Sequence, residues 1–177
     1  ALQYSVATPR LNGALPKRVM TSTIHPDMPH LDPHTAIVTD AAPPPKTLVG
    51  RTLEKLERVK EELGDPDTFI FSADLRREDE VKAAIAGVMS WSGRIDGLVN
   101  NAGGQFPAPL RDISLKGWDA VVRTNLTGGF LVARECYRRW MEANGGAIVN
   151  MSADMWGGMP GMAHSGAARA GMVNFTE

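Results

Sequence analysis

The joint Asp40-Ala-Ala-Pro-Pro-Pro-Lys46, set in "HTAIVTDAAPPPKTLVGRTLEKLERV", constrains the fold of this chain more than any other stretch. The flanking runs "TAIVT" (35–39) and "TLVG" (47–50) read as neighbouring parallel strands. Parallel neighbours need a crossover, which with its helix usually takes at least ~10–12 residues. Here the joint has seven residues, three of them consecutive prolines. Proline lacks the N–H that a helix needs. Seven extended residues reach ~23 Å, about enough to run back along one strand as a polyproline-like strap. The expectation is a crossover without a helix, leaving one sheet face uncovered.

From Thr47 onward the pattern is regular. A helix is predicted from Thr52 to Leu63, with an apolar stripe of Leu53, Leu56, Val59 and Leu63 and a stop at Gly64. "TFIFSA" (68–73) reads as a strand, followed by a helix carrying Val81, Ala84, Ile85, Val88 and Met89. "IDGLVN" (95–100) is a strand ending in a glycine turn. A long helical region covers Trp118 to Ala143, with Val122, Leu126, Phe130, Ala133, Tyr137 and Met141 on one side. "AIVNMS" (147–152) is a further strand, and "GAARAGMVNFTE" begins a final helix. Strands alternating with helices of this size give βαβ units, and strands apolar throughout give a sheet buried on both faces. The fold class is α/β, a Rossmann-like doubly wound parallel sheet lacking its first crossover helix. Residues 34–177 form that incomplete domain.

Residues 1–33 carry breakers and little periodicity, and read as a flexible leader. Met20-Thr-Ser-Thr resembles a natural start, which makes residues 1–19 a read-through extension. His25, His30 and His34 lie near Asp27 and Asp32, but Pro29 and Pro33 disfavour the helix that would align them, so no metal site is expected. A net charge of −1, with acids and bases interspersed, argues against a nucleic-acid partner or a membrane tether. No run approaches the ~18 apolar residues of a membrane span. The one cysteine, Cys136, lies in an apolar helical pattern, so a buried thiol in a reducing cytoplasm is expected. Asn125-Leu-Thr and Asn174-Phe-Thr match the glycosylation pattern only by chance on this reading.

In open α/β sheets, ligands bind beyond the carboxyl ends of the strands. After the first strand, Asp40 and the prolines oppose phosphate, which wants glycines and backbone N–H groups. Arg51 follows the second strand, where a basic residue pairs with a 2′-phosphate; a solvated arginine is the equal alternative. Asp74 follows the third and either accepts a hydrogen bond from adenosine or caps a helix. "NNAGGQF" (100–106) follows the fourth and offers amides and close backbone approach. "GGMPG" (157–161), with Met155, Trp156, Met159 and Met162 around it, suits an acyl chain, a dimer contact or plain core.

"LVNNAGG", "TNLTGGF" and "GGAIVNMS", in that order, resemble the short-chain dehydrogenase/reductase family over residues 35–177. Within it, "NNAGGQFPAPL", "SLKGW" and "HSGAARAGMVNFT" are similar to peroxisomal trans-2-enoyl-CoA reductases and their bacterial relatives. The resemblance implies hydride transfer with NADP(H) as preferred cofactor and NAD(H) as the alternative. It implies a small-molecule substrate such as an enoyl-CoA or a carbonyl compound. Arg51 and Asp74 then fall on the 2′-phosphate and adenine positions, and Asn101, Ala102 and Gly103 line the adenosine side and brace the sheet. Asn125 becomes the asparagine that holds a water for proton relay.

There are departures. The family's glycine loop and first helix are missing between Thr39 and Thr47. Its serine falls at Ser152 or Ala153, and its Tyr-x-x-x-Lys is replaced by Ser165 and Arg169, with His164 adjacent. His164 can supply the proton or sit as a core histidine. Asp154 would need burial to act as an acid, and Arg169 stays charged and can steady an enolate-like oxygen. The family's oligomer interface uses the final helix, which in this chain stops at Glu177. Two functions are therefore carried forward: a reductase, with Asn125, Ser152, His164 and Arg169 at its centre, or a non-catalytic remnant that keeps the sheet and acts as an assembly partner.

Overall fold

A computed structural model describes the backbone of Leu2–Ala7 and Ala36–Thr39, and residues 46–177 in full. The strands are β1 (Leu2–Ala7), β2 (Ala36–Thr39), β3 (Thr47–Gly50), β4 (Phe69–Ser72), β5 (Gly97–Asn100) and β6 (Ala147–Ala153). The helices are α1 (Leu53–Leu63), α2 (Glu78–Ser92), α3 (Leu115–Val122), α4 (Gly128–Cys136), α5 (Glu142–Asn144) and α6 (Ala163–Thr176). One sheet contains all six strands in the order β1-β6-β5-β2-β3-β4. The expected α/β class and doubly wound strand order are what forms.

The direction of one strand differs from expectation. β3 and β4 are parallel, as are β5 and β6, but β2 runs antiparallel to both β3 and β5. The parallel pairing expected for "TAIVT" and "TLVG" is thus corrected to a reversal. The physical reason is the short joint: parallel strands need a long crossover, whereas antiparallel neighbours can be joined by a brief turn. Val38 pairs with Thr47 and Thr39 with Gly97, so β2 ends among the beginnings of β3 and β5. β2 therefore ends at the edge opposite the carboxyl ends of β3 to β6. The leader expectation is also limited: Leu2–Ala7 pair antiparallel with β6, and the three leader histidines lie outside the described residues.

Leu48 and Val49 show how both faces are used. Val49 enters the main core with Val81, Ala84, Ile85 and Val88 of α2, Leu98 of β5, and Leu131, Val132 and Cys136 of α4. Leu48 points the other way, onto Leu56 and Val59 of α1. Gly64 and Gly93 end α1 and α2 at φ of 62° and 72°, a conformation open to glycine without strain. On the α1 face, Val99 and Val149 sit opposite each other in register and remain half-buried. Among the described residues that side of β5 and β6 is only partly covered, as the missing helix implied.

The long helical region is continuous from Leu115 to Asn144 but includes two π-helical segments, Arg123–Thr127 and Tyr137–Met141. Each widens the turn and rotates the buried face. Consequently Phe130 and Tyr137, expected inside, are exposed, while Val121, Asn125, Leu131 and Cys136 are buried. Asn125 is 2% exposed, which closes that glycosylation pattern to any enzyme.

Polar groups lock the centre. Asn100 Nδ2 donates to Asn150 Oδ1 at 2.8 Å across the β5–β6 pair and to the Gly129 carbonyl of α4 at 3.2 Å. Asn150 Nδ2 donates to Thr176 Oγ1 at 3.0 Å, and that hydroxyl donates to the Met172 carbonyl of α6. Replacing Asn150 with Ala leaves the Thr176 hydroxyl without its donor and Asn100 short of an acceptor, all inside the protein. Asn150→Ala is expected to cost about 2 kcal/mol of unfolding free energy in a urea titration, whereas exposed Asn144→Ala should cost far less.

Candidate active site

β3, β4, β5 and β6 all run the same way, so the residues after Gly50, Ser72, Asn100 and Ala153 gather at one edge of the sheet. Two clusters form there.

The first lies beyond β3 and β4. Arg51, Asp74, Leu75, Arg76, Ala102 and Thr124 line one cleft. Asp74 is held tightly: both its oxygens accept from the Arg76 guanidinium, the shortest contact being 2.6 Å, and Oδ1 also accepts the Arg76 N–H. Its own N–H donates to Glu80 Oε2 at 2.7 Å. The hydrogen bonds from the Arg76 side chain, reinforced by the positive charge of Arg51, hold the Asp74 carboxyl below its ordinary range despite partial burial. Arg51 and Asp74 line this cleft together with Arg76, which the sequence reading missed. Its signal was the "DLRRED" run, in which the second residue after Asp74 is a fork-shaped donor matched to a carboxylate.

The second cluster lies beyond β5 and β6. The loop after β5 packs onto the start of α6, with the Ala108 N–H donating to the Gly161 carbonyl at 2.7 Å. Ser165 Oγ donates to Gln105 Oε1 at 2.5 Å, and the Phe106 ring stands edge-on to His164 at 4.6 Å between centroids. Asn125 clamps the same loop: Nδ2 donates to the carbonyls of Gly104 and Val121, and Oδ1 accepts the Gly104 N–H. Its place in a π-helical segment brings the side chain to this loop. A methyl at Gly103 would sit 2.7 Å from Arg169 Nη2 and 2.8 Å from Asn125 Oδ1, so only glycine fits between them.

Ser165 and Arg169 are four residues apart and share one face of α6. Arg169 is 9% exposed and Nη1 donates to the Met151 carbonyl at 2.6 Å. Burial lowers its pKa, but an arginine stays charged. Ser152 and His164 are buried, and His164 Nδ1 accepts the Ser165 N–H at 3.0 Å. A neutral imidazole so engaged carries its proton on Nε2. Ser152 Oγ, His164 Nε2 and Arg169 Nε are all buried and have no hydrogen-bond partner among the described residues. An unpaired buried polar atom costs about 1–3 kcal/mol; Thr68 Oγ1, Arg134 Nε and Trp140 Nε1 are in the same position elsewhere in the fold.

Other expectations fall outside these clusters. Asp154 is exposed and its Oδ1 accepts the Trp156 N–H, which keeps it out of the buried group. Asn101 is half-buried beside the site, next to Asn100, which bonds to Asn150 across the sheet. Met155, Met159 and Pro160 border an open depression of about 470 Å³ with Ala163, Gly166, Ala167 and Ala170. Those α6 positions face away from Ser165 and Arg169, so this groove is separate from the buried cluster. Among the described residues no group of three or more His, Cys, Asp or Glu can hold a metal ion, and no helix is long and apolar enough to cross a membrane.

Residues 35–177 match the family described as short chain dehydrogenase. Over 134 residues the chain is 34% identical to a probable 2,4-dienoyl-CoA reductase of Bacillus subtilis, covering 73% of this chain and 53% of that protein. Over 127 residues it is 37% identical to the 3-oxoacyl-[acyl-carrier-protein] reductase FabG of Staphylococcus aureus, covering 70% and 52%. Among solved structures, the citronellol catabolism dehydrogenase AtuB of Pseudomonas aeruginosa superposes with a TM-score of 0.64 at 49% identity, covering 73% of this chain and 54% of that one. The chain spans about half the length of the curated relatives it matches.

The Asp74–Arg76 pair yields a pH test. Because the folded carboxyl titrates below its ordinary value near 3.8, its stabilisation is fully present above that value and disappears as pH falls through the lower folded one. Asp74→Asn should cost about 1 kcal/mol at neutral pH, given partial exposure. The gap between wild type and variant should narrow as pH falls below 3.8 in pH-dependent urea unfolding.

Proposed function

We propose, from the premise that this chain belongs to the short-chain dehydrogenase family, that it is an NADP(H)-preferring reductase of an enoyl-CoA-like or carbonyl substrate. The observation that supports this most is the burial of Asn125, Ser152, His164 and Arg169 on the elements that meet beyond β5 and β6, three of them with a polar atom that has no partner among the described residues. The family's oxidoreductase chemistry supplies the reaction type. The dienoyl-CoA and acyl-carrier-protein reductases among the relatives favour a thioester-linked substrate.

The fit to a nicotinamide dinucleotide rests on the chain's own residues. Gly103 lets Arg169 and Asn125 close in on the loop after β5, to 2.7 and 2.8 Å from where a Cβ would stand. Arg51 and Arg76 share a cleft with Ala102. Two guanidinium groups favour a phosphate ester there over a bare ribose hydroxyl. Asp74, although occupied by Arg76, keeps that arginine in place. When bound, the reduced cofactor supplies hydride.

The proton side belongs to the protein. Arg169 holds its charge in a buried position, where it steadies negative charge developing on a substrate oxygen. His164, with Nε2 free and Nδ1 fixed by the Ser165 N–H, presents a proton in one orientation. Ser152 provides a hydroxyl that both donates and accepts. Asn125 acts by fixing the Gly103–Gly104 backbone rather than by presenting a free amide.

One observation favours the second reading, a folded but non-catalytic member. β2 enters the sheet reversed, so its carboxyl end is not at the site edge where the cofactor's pyrophosphate would need N–H donors. NADPH titration with thermal melting separates the two. Saturable binding with a raised melting temperature is expected. Arg51→Ala and Arg76→Ala should each weaken NADPH about tenfold while changing NADH less than about threefold. A cooperative melt unmoved by either cofactor would establish the non-catalytic reading.

A further inference from the structure

Ser165 is wholly buried in the first turn of α6, yet its hydroxyl has a partner 60 residues away in sequence. Ser165 Oγ donates to Gln105 Oε1 at 2.5 Å, too close for a water between them. A hydroxyl has one proton to give. With Gln105 in this position, Ser165 can accept from a ligand but cannot donate to one. Its neighbour on the same helix face is Arg169, whose Nη2 stands against Gly103 of the loop that carries Gln105. Gln105 thus brings an amide carbonyl oxygen to the donor edge of α6.

The backbone on either side of this side chain is pinned. Asn125 bonds to both the N–H and the carbonyl of Gly104. Phe106 is lodged between His164, 4.6 Å away by ring centroids, and Gly117, where a methyl would come within 2.9 Å of the ring. The Ala108 N–H reaches the Gly161 carbonyl at 2.7 Å. The Gln105 carboxamide, by contrast, hangs on three side-chain torsions and can turn aside while the loop stays in place. Leaving Ser165 is a small net change when another oxygen takes over as acceptor, and a large one when none does.

We propose that the Gln105 carboxamide is a resident stand-in for the acyl oxygen of the substrate. It holds the acceptor place on Ser165 until a substrate carbonyl takes it. Gln105 then turns out, and the Ser165 O–H points to the new oxygen. Hydrogen bonds are exchanged, and no covalent bond forms or breaks. Gln105 selects ligands in this way. One with a carbonyl at this point swaps one hydrogen bond for another, whereas one without it must leave Gln105 in place or strand a buried hydroxyl. That the ligand is an acyl compound rests on the function proposed above; the committed hydroxyl rests on the contact alone.

The test compares two ligands by calorimetry, with NADP+ and without it. Crotonyl-CoA carries an acyl oxygen; S-butyl-CoA has the same carrier and chain length and lacks it. Gln105→Met keeps the length of the side chain and removes its acceptor oxygen. It should tighten crotonyl-CoA about fivefold or more, because the Ser165 proton loses its competitor, and change S-butyl-CoA less than about twofold. In a Ser165→Ala background the same substitution should change crotonyl-CoA less than about twofold, since the contested proton is gone.

Equal tightening of both ligands marks a plain apolar gain and overturns the stand-in. So does a failure to tighten crotonyl-CoA, absence of uptake included, or a gain that persists without the Ser165 hydroxyl. Oxidation of NADPH by crotonyl-CoA in the unmodified protein is read separately. No turnover with the tightening intact means that the proposed function fails and the stand-in holds. Turnover without tightening means the reverse.

Discussion

The Asn100–Asn150 hydrogen bond is the contact on which the remainder of this structure depends. It joins two parallel strands at matching positions, and through Gly129 and Thr176 it also ties α4 and α6 to the same point. A one-residue slip between β5 and β6 would send one of these amides to the opposite face and leave both unsatisfied. Register is thereby set by polar complementarity as well as by apolar burial. Because α6 is docked there, Ser165 and Arg169 meet the loop after β5. Because the helical stretch through α4 is docked there, Asn125 meets that loop too.

The two clusters at the sheet edge treat charge in opposite ways. Asp74 and Arg76 neutralise each other with full hydrogen bonding in a partly wet setting, which makes a rigid wall with Arg51 beside it. Arg169 is buried with a carbonyl and no carboxylate among its recorded partners. Keeping a guanidinium in such surroundings is unfavourable unless something anionic arrives. On the function proposed above, an anionic group of the substrate or cofactor would answer that need.

Much of the fold was legible because its elements are periodic. The α2 spacing of Val81, Ala84, Ile85 and Val88 appears in the structure as the buried face it implied. The apolar strands came from burial on two faces, as Leu48 and Val49 show. What sequence could not show was direction. Nothing in four β-branched residues states whether a strand runs up or down, and only the length of the next joint decides it. The π-helical segments were also hidden, since one wide turn moves Phe130 and Tyr137 outward without changing any residue's character. Within the site, Arg51, Asp74, Gly103, Asn125, Ser152, His164 and Arg169 were placed by resemblance. Arg76, Gln105 and Asn150 were not: Arg76 acts on Asp74 two residues away, while Gln105 and Asn150 bond to Ser165 and Asn100, which lie far off in sequence.

Cys136 is fully buried in the core between α4 and α2, and desolvation pushes its thiol up to about 12. The nucleophile is the thiolate, so in the closed molecule this sulfur is chemically silent at neutral pH. As the single cysteine of the chain, it can be reached by a thiol reagent only when that core opens. The protein thus carries a built-in clock for its own opening, readable at one atom and indifferent to which substrate, if any, sits at the other end of the sheet.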